Sequence, residues 1–484
     1  MNVVATVVFV ALFVGIAVLG FASAHWRKGD MNHLHEWGLG GRRFGTWITW
    51  FLIGGDLYTA YTFVAVPALV FGAGALGFFA LPYTVLVYPM VFAILPRLWI
   101  VAKKHNYITA SDFVAGRYGS PALALAIAVT GIVATMPYIA LQLVGIQVVI
   151  GGLGFSTQGL MGDVPLVIAF VILAAFTYTS GLRAPASIAV VKDLLVYITV
   201  IALIIVVPYK LGGFGNIFAA IPKGHLLLPP VKDGNLGLQT FYPTLAFGSA
   251  LALMLYPHAT TAVLSAKGPN TLRRNWVFLP AYSFMLGLIA LLGYMAYASG
   301  IAKLPELAPY FKQYGPQFAM PGLLLHYFPS WFVGVYKPYI NPNCSTHKET
   351  EMAKLVSLLV KFGALLFIVF LPLTYAIQLQ LLGGILILQT LPAIVSGIYT
   401  RWFDAKALLL GWAAGLVWGV WAASLSGFKA SGYGLHIAGL VIPAYIGLYA
   451  LVINFVVAIV ATLVIGALGM ANKQDATVAA DYAG

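Results

Sequence analysis

Two short polar strings interrupt long apolar runs in this sequence. The first is Gly54-Gly55-Asp56-Leu57-Tyr58-Thr59, with Tyr61, Thr62 and Pro67 beyond it. Asp56 lies ten residues into a run that opens near residue 46. At a rise of about 1.5 Å per residue that depth is about 15 Å, near the middle of a bilayer. A carboxylate there is costly and marks an ion or substrate path. Its structural alternative is a protonated aspartate bonded to a neighbouring helix. Two glycines beside the acid permit a break in the helix, and a broken backbone frees carbonyls for a cation. The second string is Tyr256-Pro257-His258, followed by Thr260 and Thr261. Proline removes a backbone donor and clashes with the preceding turn, so a break or an ordinary kink is expected here.

The elements that carry these strings follow from composition. The chain has 484 residues, 61% of them hydrophobic and 8% charged. Soluble chains run near 45–50% apolar and about 25% charged. The sequence therefore reads as an all-α polytopic membrane protein. A span needs about 20 apolar residues. Twelve candidates meet that need: 3–22, 46–72, 78–101, 121–153, 164–180, 190–209, 241–264, 276–298, 355–372, 379–399, 408–425 and 438–467. A short stretch at 321–340 is a thirteenth, weaker candidate.

Ala22-Ser23-Ala24 looks like a leader cleavage site. No Lys or Arg precedes the first apolar run, however, whereas Arg27, Lys28, Arg42 and Arg43 follow it. The first segment is expected to stay as an anchor helix with its N-terminus outside. Arg97, Lys103, Lys104, Arg117, Arg183, Lys192, Lys267, Arg273 and Arg274 fall on the loops assigned inside. Lys210, Lys223, Lys232, Lys303 and Lys312 fall outside. The net charge of +13 is thus a topology signal, and no nucleic-acid partner is expected. The single cysteine, Cys344, excludes a disulfide within the chain.

The two interruptions stand in corresponding places. Helices at 46–72, 78–101, 121–153, 164–180 and 190–209 make one unit of five, and 241–264 opens the next. Both opening helices are broken at mid-membrane, and they run in opposite directions. That is the pattern of inverted repeats around a midplane transport site. Gln142 and Gln147, near Tyr138, either line a cavity or bond helix to helix. Lys192 and Asp193 read as a pair at the opening of 190–209, near the inner surface. Lys361 can snorkel and is given no role. No phosphate-binding GxxxxGK[ST] loop, HExxH string or Cys/His cluster occurs, and no organic cofactor is expected. Energy should come from a gradient of sodium ions or protons.

Several strings resemble the sodium:solute symporter family. They are Trp37-Gly38-Leu39-Gly40-Gly41-Arg42-Arg43, Ile108-Thr109-Ala110-Ser111-Asp112-Phe113 with Arg117-Tyr118-Gly119-Ser120, Ser180-Gly181-Leu182-Arg183-Ala184 with Asp193, and Pro257-His258 with Ser265-Ala266-Lys267. The nearest likeness is to the bacterial branch that takes up lactate and pyruvate. The resemblance implies a LeuT-like core of two inverted five-helix repeats. Sodium would sit against carbonyls at the positions matching Gly54 and Leu57, beside Asp56, with Asp193 as a further acid. Substrate would meet Tyr58, Thr59, Gln142, Tyr256, Pro257 and His258.

One departure concerns the eighth core helix. In the family it is full length and supplies hydroxyls to the sodium site. Here Phe328-Pro329-Ser330-Trp331-Phe332 resembles its beginning and Tyr339 to Cys344 the segment after its end, with the middle missing. Sodium binding is therefore expected to be much weaker than in a full-length member, or absent. The stretch 321–340 should still be pulled across the membrane, keeping Arg401 and Lys406 inside.

The domain reading is an anchor helix and loop over 1–45, a first repeat over 46–210, a second over 211–400, and peripheral helices over 401–484. The functional reading is a cation-coupled symporter that imports a small monocarboxylate across the cytoplasmic membrane. Its partners are the organic anion and the lipid bilayer. The alternatives are a carrier of an amino acid or other small solute, a channel or sensor, or a shortened member with impaired coupling. An enzyme is the least supported reading.

Overall fold

The computed structural model describes residues 3–26, 29–30, 33–154, 178–329, 376–471 and 474–482, with a few positions between 155 and 177. Most of the expected span 164–180, the span 355–372, the second half of 321–340, Cys344 and Lys361 lie outside the described residues.

Among the described residues, seven helices are long and apolar enough to cross a membrane: Tyr61–Lys104, Pro121–Gly152, Arg183–Lys210, Pro269–Ala298, Ile377–Tyr399, Ala405–Ser424 and Ile446–Ala467. An eighth span is the pair Leu238–Leu253 and Pro257–Leu264, bent by 50°. The expected number of twelve is thus not reached here. Val3–Ala22 is a helix of 20 residues, and Tyr61–Lys104 joins two expected spans in one stretch of 44. That stretch folds back on itself at Gly74, whose φ of +62° suits glycine. Beyond the turn, a Cβ on Gly77 would stand 2.7 Å from the backbone nitrogen of Val70.

The exterior of each helix shows why it sits in lipid. Leu194, Ile198, Ile201 and Ile205 are exposed on Arg183–Lys210, at the spacing of one helix face. Asp193 and Thr199 on the same helix are fully buried. Lipid solvates the apolar stripe, and the polar groups turn toward the bundle. Where helices pack on one another, small residues let the backbones approach. On Ala405–Ser424, a Cβ at Gly411 would meet the Asn454 carbonyl at 2.5 Å, and one at Gly415 the Ala450 carbonyl at 2.9 Å.

Two expectations are corrected. The chain is not purely helical: Gly432–Ile437 and Leu440–Tyr445 form an antiparallel hairpin. The expected span 438–467 therefore begins in a strand, and its helix is Ile446–Ala467. An apolar β-branched run reads alike as strand or helix end, and the left-handed turn at Ala438-Gly439 decides for the hairpin. The span opening at 190 starts earlier, at Arg183. Its arginine is tolerated inside because it is paired. Arg183 donates through Nη1 to the Glu36 carbonyl at 2.7 Å and through Nη2 to Glu36 Oε2 at 2.6 Å. The described part of 321–340 belongs to a nine-residue helix, Ala319–Tyr327, which ends at the extended residue Phe328.

Arg401 lies on the same face as Arg117, because both bind the Asp475 carboxylate, at 2.8 and 2.9 Å. Arg117 also caps the end of the helix that closes at Tyr399, donating to the carbonyls of Gly397 and Thr400.

Candidate functional site

Both expected interruptions are real breaks. Helix Thr46–Leu57 ends at Tyr58, whose ψ of 84° is not helical, and a π-turn over Tyr61–Ala65 leads into Val66–Ala73. Helix Leu238–Leu253 ends before Tyr256, which is extended, and Pro257 opens the second half, Pro257–Leu264. Proline is suited to that first position because its missing N–H would have no helical partner.

The breaks meet. Asp56 Oδ2 stands 3.5 Å from His258 Nε2, with about a fifth of each side chain exposed. The imidazole is stacked against Tyr138 at 4.6 Å and Tyr256 at 5.2 Å between ring centres. Tyr138 donates its hydroxyl to the Asp56 carbonyl at 3.3 Å. The third core helix therefore holds both breaks together. Gln142, one turn along, accepts from the Ala60 N–H at 2.9 Å and donates to the Tyr138 carbonyl at 3.3 Å. Its side chain caps the backbone that the first break frees. Thr59 caps locally too, accepting from the Tyr61 N–H at 3.2 Å.

The expected site residues do not form one cluster. Tyr58 turns away from His258 and is buried among Tyr282, Tyr197 and Phe63. It joins a second group around Asp193. There Tyr282 donates to Asp193 Oδ2 at 2.6 Å. Gly54 packs so tightly on Tyr282 that a Cβ would fall 2.1 Å from the ring. Lys192 donates to the carbonyls of Gly55 at 2.5 Å and Tyr58 at 2.9 Å, and its Nζ lies 3.5 Å from Asp193 Oδ1. The expectation that Lys192 and Asp193 form an interfacial pair is corrected. Nine residues separate Lys192 from the start of its helix, about 13 Å of rise, and Asp193 is fully buried.

The carbonyls expected to hold sodium can be tested against these contacts. Gly54 O accepts from the Tyr58 N–H at 3.1 Å, as the last helical bond before the break. The carbonyls of Gly55 and Tyr58 are already bonded by the ammonium of Lys192, which also faces Asp193 Oδ1. Two like charges about 4 Å apart repel by ~4 kcal/mol at an effective dielectric of 20. The residues present do not fit a free sodium ion between the first broken helix and Asp193.

Space is unequal beside the two halves of the bent helix. A cavity of about 210 Å³ runs along the second half, lined by Thr109, Ser111, Gly131, Pro257, Thr261 and Thr390 among others. It lies beside the segment that follows Lys103 and Lys104. Beside the first half, between Tyr61, Tyr83, Tyr256, Gln380 and Tyr445, only about 10 Å³ is free. That is one water at most. Of these two spaces the larger lies on the side of Thr109 and reaches Pro257, next to His258.

Sequence reading missed Tyr282 and Tyr197. A tyrosine in an apolar span carries a hydroxyl that needs a partner, which is the one signal available for them.

A bundle of membrane-crossing helices with two broken helices meeting inside it defines an integral membrane transporter of the LeuT-like class. Its whole architecture is shared with the solved structure described as "Substrate-bound outward-open state of a Na+-coupled sialic acid symporter reveals a novel Na+-site". The TM-score is 0.72 over 97% of this chain and 99% of that one, at 13% identity. The sequence profile of the sodium:solute symporter family matches residues 37–340, and the chain belongs to that family. It is 46% identical over 495 aligned positions to the monocarboxylate transport permease protein of Rhizobium johnstonii, covering 95% of this chain and 96% of the relative. It is 32% identical over 437 positions to the uncharacterized symporter YodF of Bacillus subtilis, covering 86% of this chain and 87% of the relative.

Proposed function

We propose that the chain imports a small monocarboxylate across the cytoplasmic membrane by cation-coupled alternating access, with the N-terminus outside. The observation that carries the proposal is the meeting of Asp56 and His258 where the two breaks face each other. Around it, Thr59, Tyr256, Pro257 and His258 contact the solute, and Gln142 acts through the break it caps. Tyr58 and Asp193 form the cation side, where the ammonium of Lys192 lies against both. Tyr256 provides no side-chain cap to Pro257–Leu264, and the positive end of that half-helix favours a carboxylate. The Rhizobium relative's name supports the same substrate class.

In this reading residues 46–210 and 211–400 are the inverted repeats, flanked by 1–45 and 401–484. The sequence that resembles the eighth core helix, opening at Phe328, is read as shortened. The 495 aligned positions exceed the 484 residues of this chain, so the Rhizobium relative carries residues that this chain lacks.

The test is uptake of labelled lactate, pyruvate, alanine and proline by proteoliposomes, with sodium and proton gradients imposed separately. Lactate and pyruvate should enter and compete with each other. Preferential uptake of alanine or proline would replace the substrate class.

A further inference from the structure

We infer that the ammonium of Lys192 is the resident cation of the first broken helix, held by its own side chain where a free sodium ion would otherwise bind. An ammonium has three donors and no acceptor. Here two reach the carbonyls of Gly55 and Tyr58, and the third side faces the Asp193 carboxylate. Both carbonyls border the break, where the helix ends at Tyr58. The pocket is shaped for the lysine. A Cβ on Gly55 would stand 3.0 Å from Nζ and 3.3 Å from Ala189 Cβ, so the ammonium packs closely against this glycine. Tyr282 holds Asp193 from the opposite side through Oδ2, leaving Oδ1 turned toward Nζ.

The charged and titratable groups around the ammonium come from three helices. Asp193 and Tyr197 lie on its own helix, Asp56 and Tyr58 on the broken one, and Tyr282 on the helix beyond. Asp193 is the carboxylate that faces the ammonium, while the Asp56 carboxylate faces His258. A sodium ion added between Asp193 and the break would meet the ammonium at close range and share the one carboxylate that already faces it. The inference refines the proposed cation coupling by removing free sodium from this one position.

The test is equilibrium binding of radioactive sodium to the purified full-length chain, reading only the component that Asp193→Asn removes. This needs no transported solute, so failure of lactate uptake would count against the transport reading and leave the binding result intact. Each variant enters the comparison only if it elutes as a single species on size exclusion. The unmodified chain should show no such component at physiological sodium. Lys192→Ala should create one, with a gain in sodium affinity of about tenfold or more. An Asp193-dependent sodium site in the unmodified chain would overturn the inference whatever the variants do. So would a folded Lys192→Ala chain that gains no sodium binding.

Discussion

Asp56 and His258 stand 3.5 Å apart because Gly54, Gly55 and Pro257 let two helices stop inside the bundle. Each end exposes backbone that other side chains then use. Neutralising the acid by Asp56→Asn keeps the volume, so the fold should hold while the pair with His258 is lost. We expect gradient-driven uptake to fall about tenfold or more, the effect of about 1.4 kcal/mol at the site, with expression and helix content near normal. Unchanged uptake at limiting cation concentration would make Asp56 a structural residue. Asp56, Tyr256 and His258 were legible in the sequence because each is polar inside an apolar run. Lys192 was legible as a charge but not as a cap. Its place depends on the helix beginning at Arg183, and a buried arginine looks like the end of a span until Glu36 is found beside it. Tyr58 was placed on the wrong side of the break because an unwound residue has no helical face to predict.

At the scale of elements, Glu36 makes three contacts with two arginines. It pairs with Arg183 and Arg43, and its backbone carbonyl accepts from Arg183. The short helix Leu34–Leu39 is thereby fastened to the helix that carries Lys192 and Asp193. Breaking one partner of a buried pair leaves the other uncompensated, at a cost of about 3–5 kcal/mol. Glu36→Gln should lower the melting temperature of the detergent-solubilised chain clearly, by tryptophan fluorescence. A melting curve unchanged from the unmodified chain would remove Glu36 as a fastener. Both broken helices were readable from glycine, proline and buried polar groups. The hairpin at Gly432–Tyr445 was not, because Leu440, Val441 and Ile442 continue an apolar run and carry no helical period to distinguish them.

At the scale of the whole molecule, the C-terminal segment closes over the face that borders the cavity. Asp475 joins Arg117 and Arg401, while Asp481 binds Lys104 at 2.6 Å and His105 at 2.7 Å. The hydrogen bond from Lys104, the Val478 N–H and His105 hold the Asp481 carboxyl well below the usual carboxylate range. A carboxyl lowered in the folded chain contributes stability above its unfolded value, near 3.9, and loses it as pH falls toward the folded one. Docking of 474–482 should therefore be constant from neutral pH into the mildly acidic range and weaken only under strong acid. Asp481→Asn should loosen the segment already at neutral pH, seen as faster amide hydrogen exchange at Val478. Equal exchange rates would show that the carboxylate does not hold it.

The proposal is that the two broken helices of this family member bind a small monocarboxylate between them. The most direct measurement is accumulation of labelled lactate in proteoliposomes holding the unmodified chain. Under an imposed cation gradient the account predicts saturable uptake that overshoots the external concentration and collapses when an ionophore dissipates the gradient. Lactate that merely equilibrates, at the same rate with and without the gradient, would contradict it.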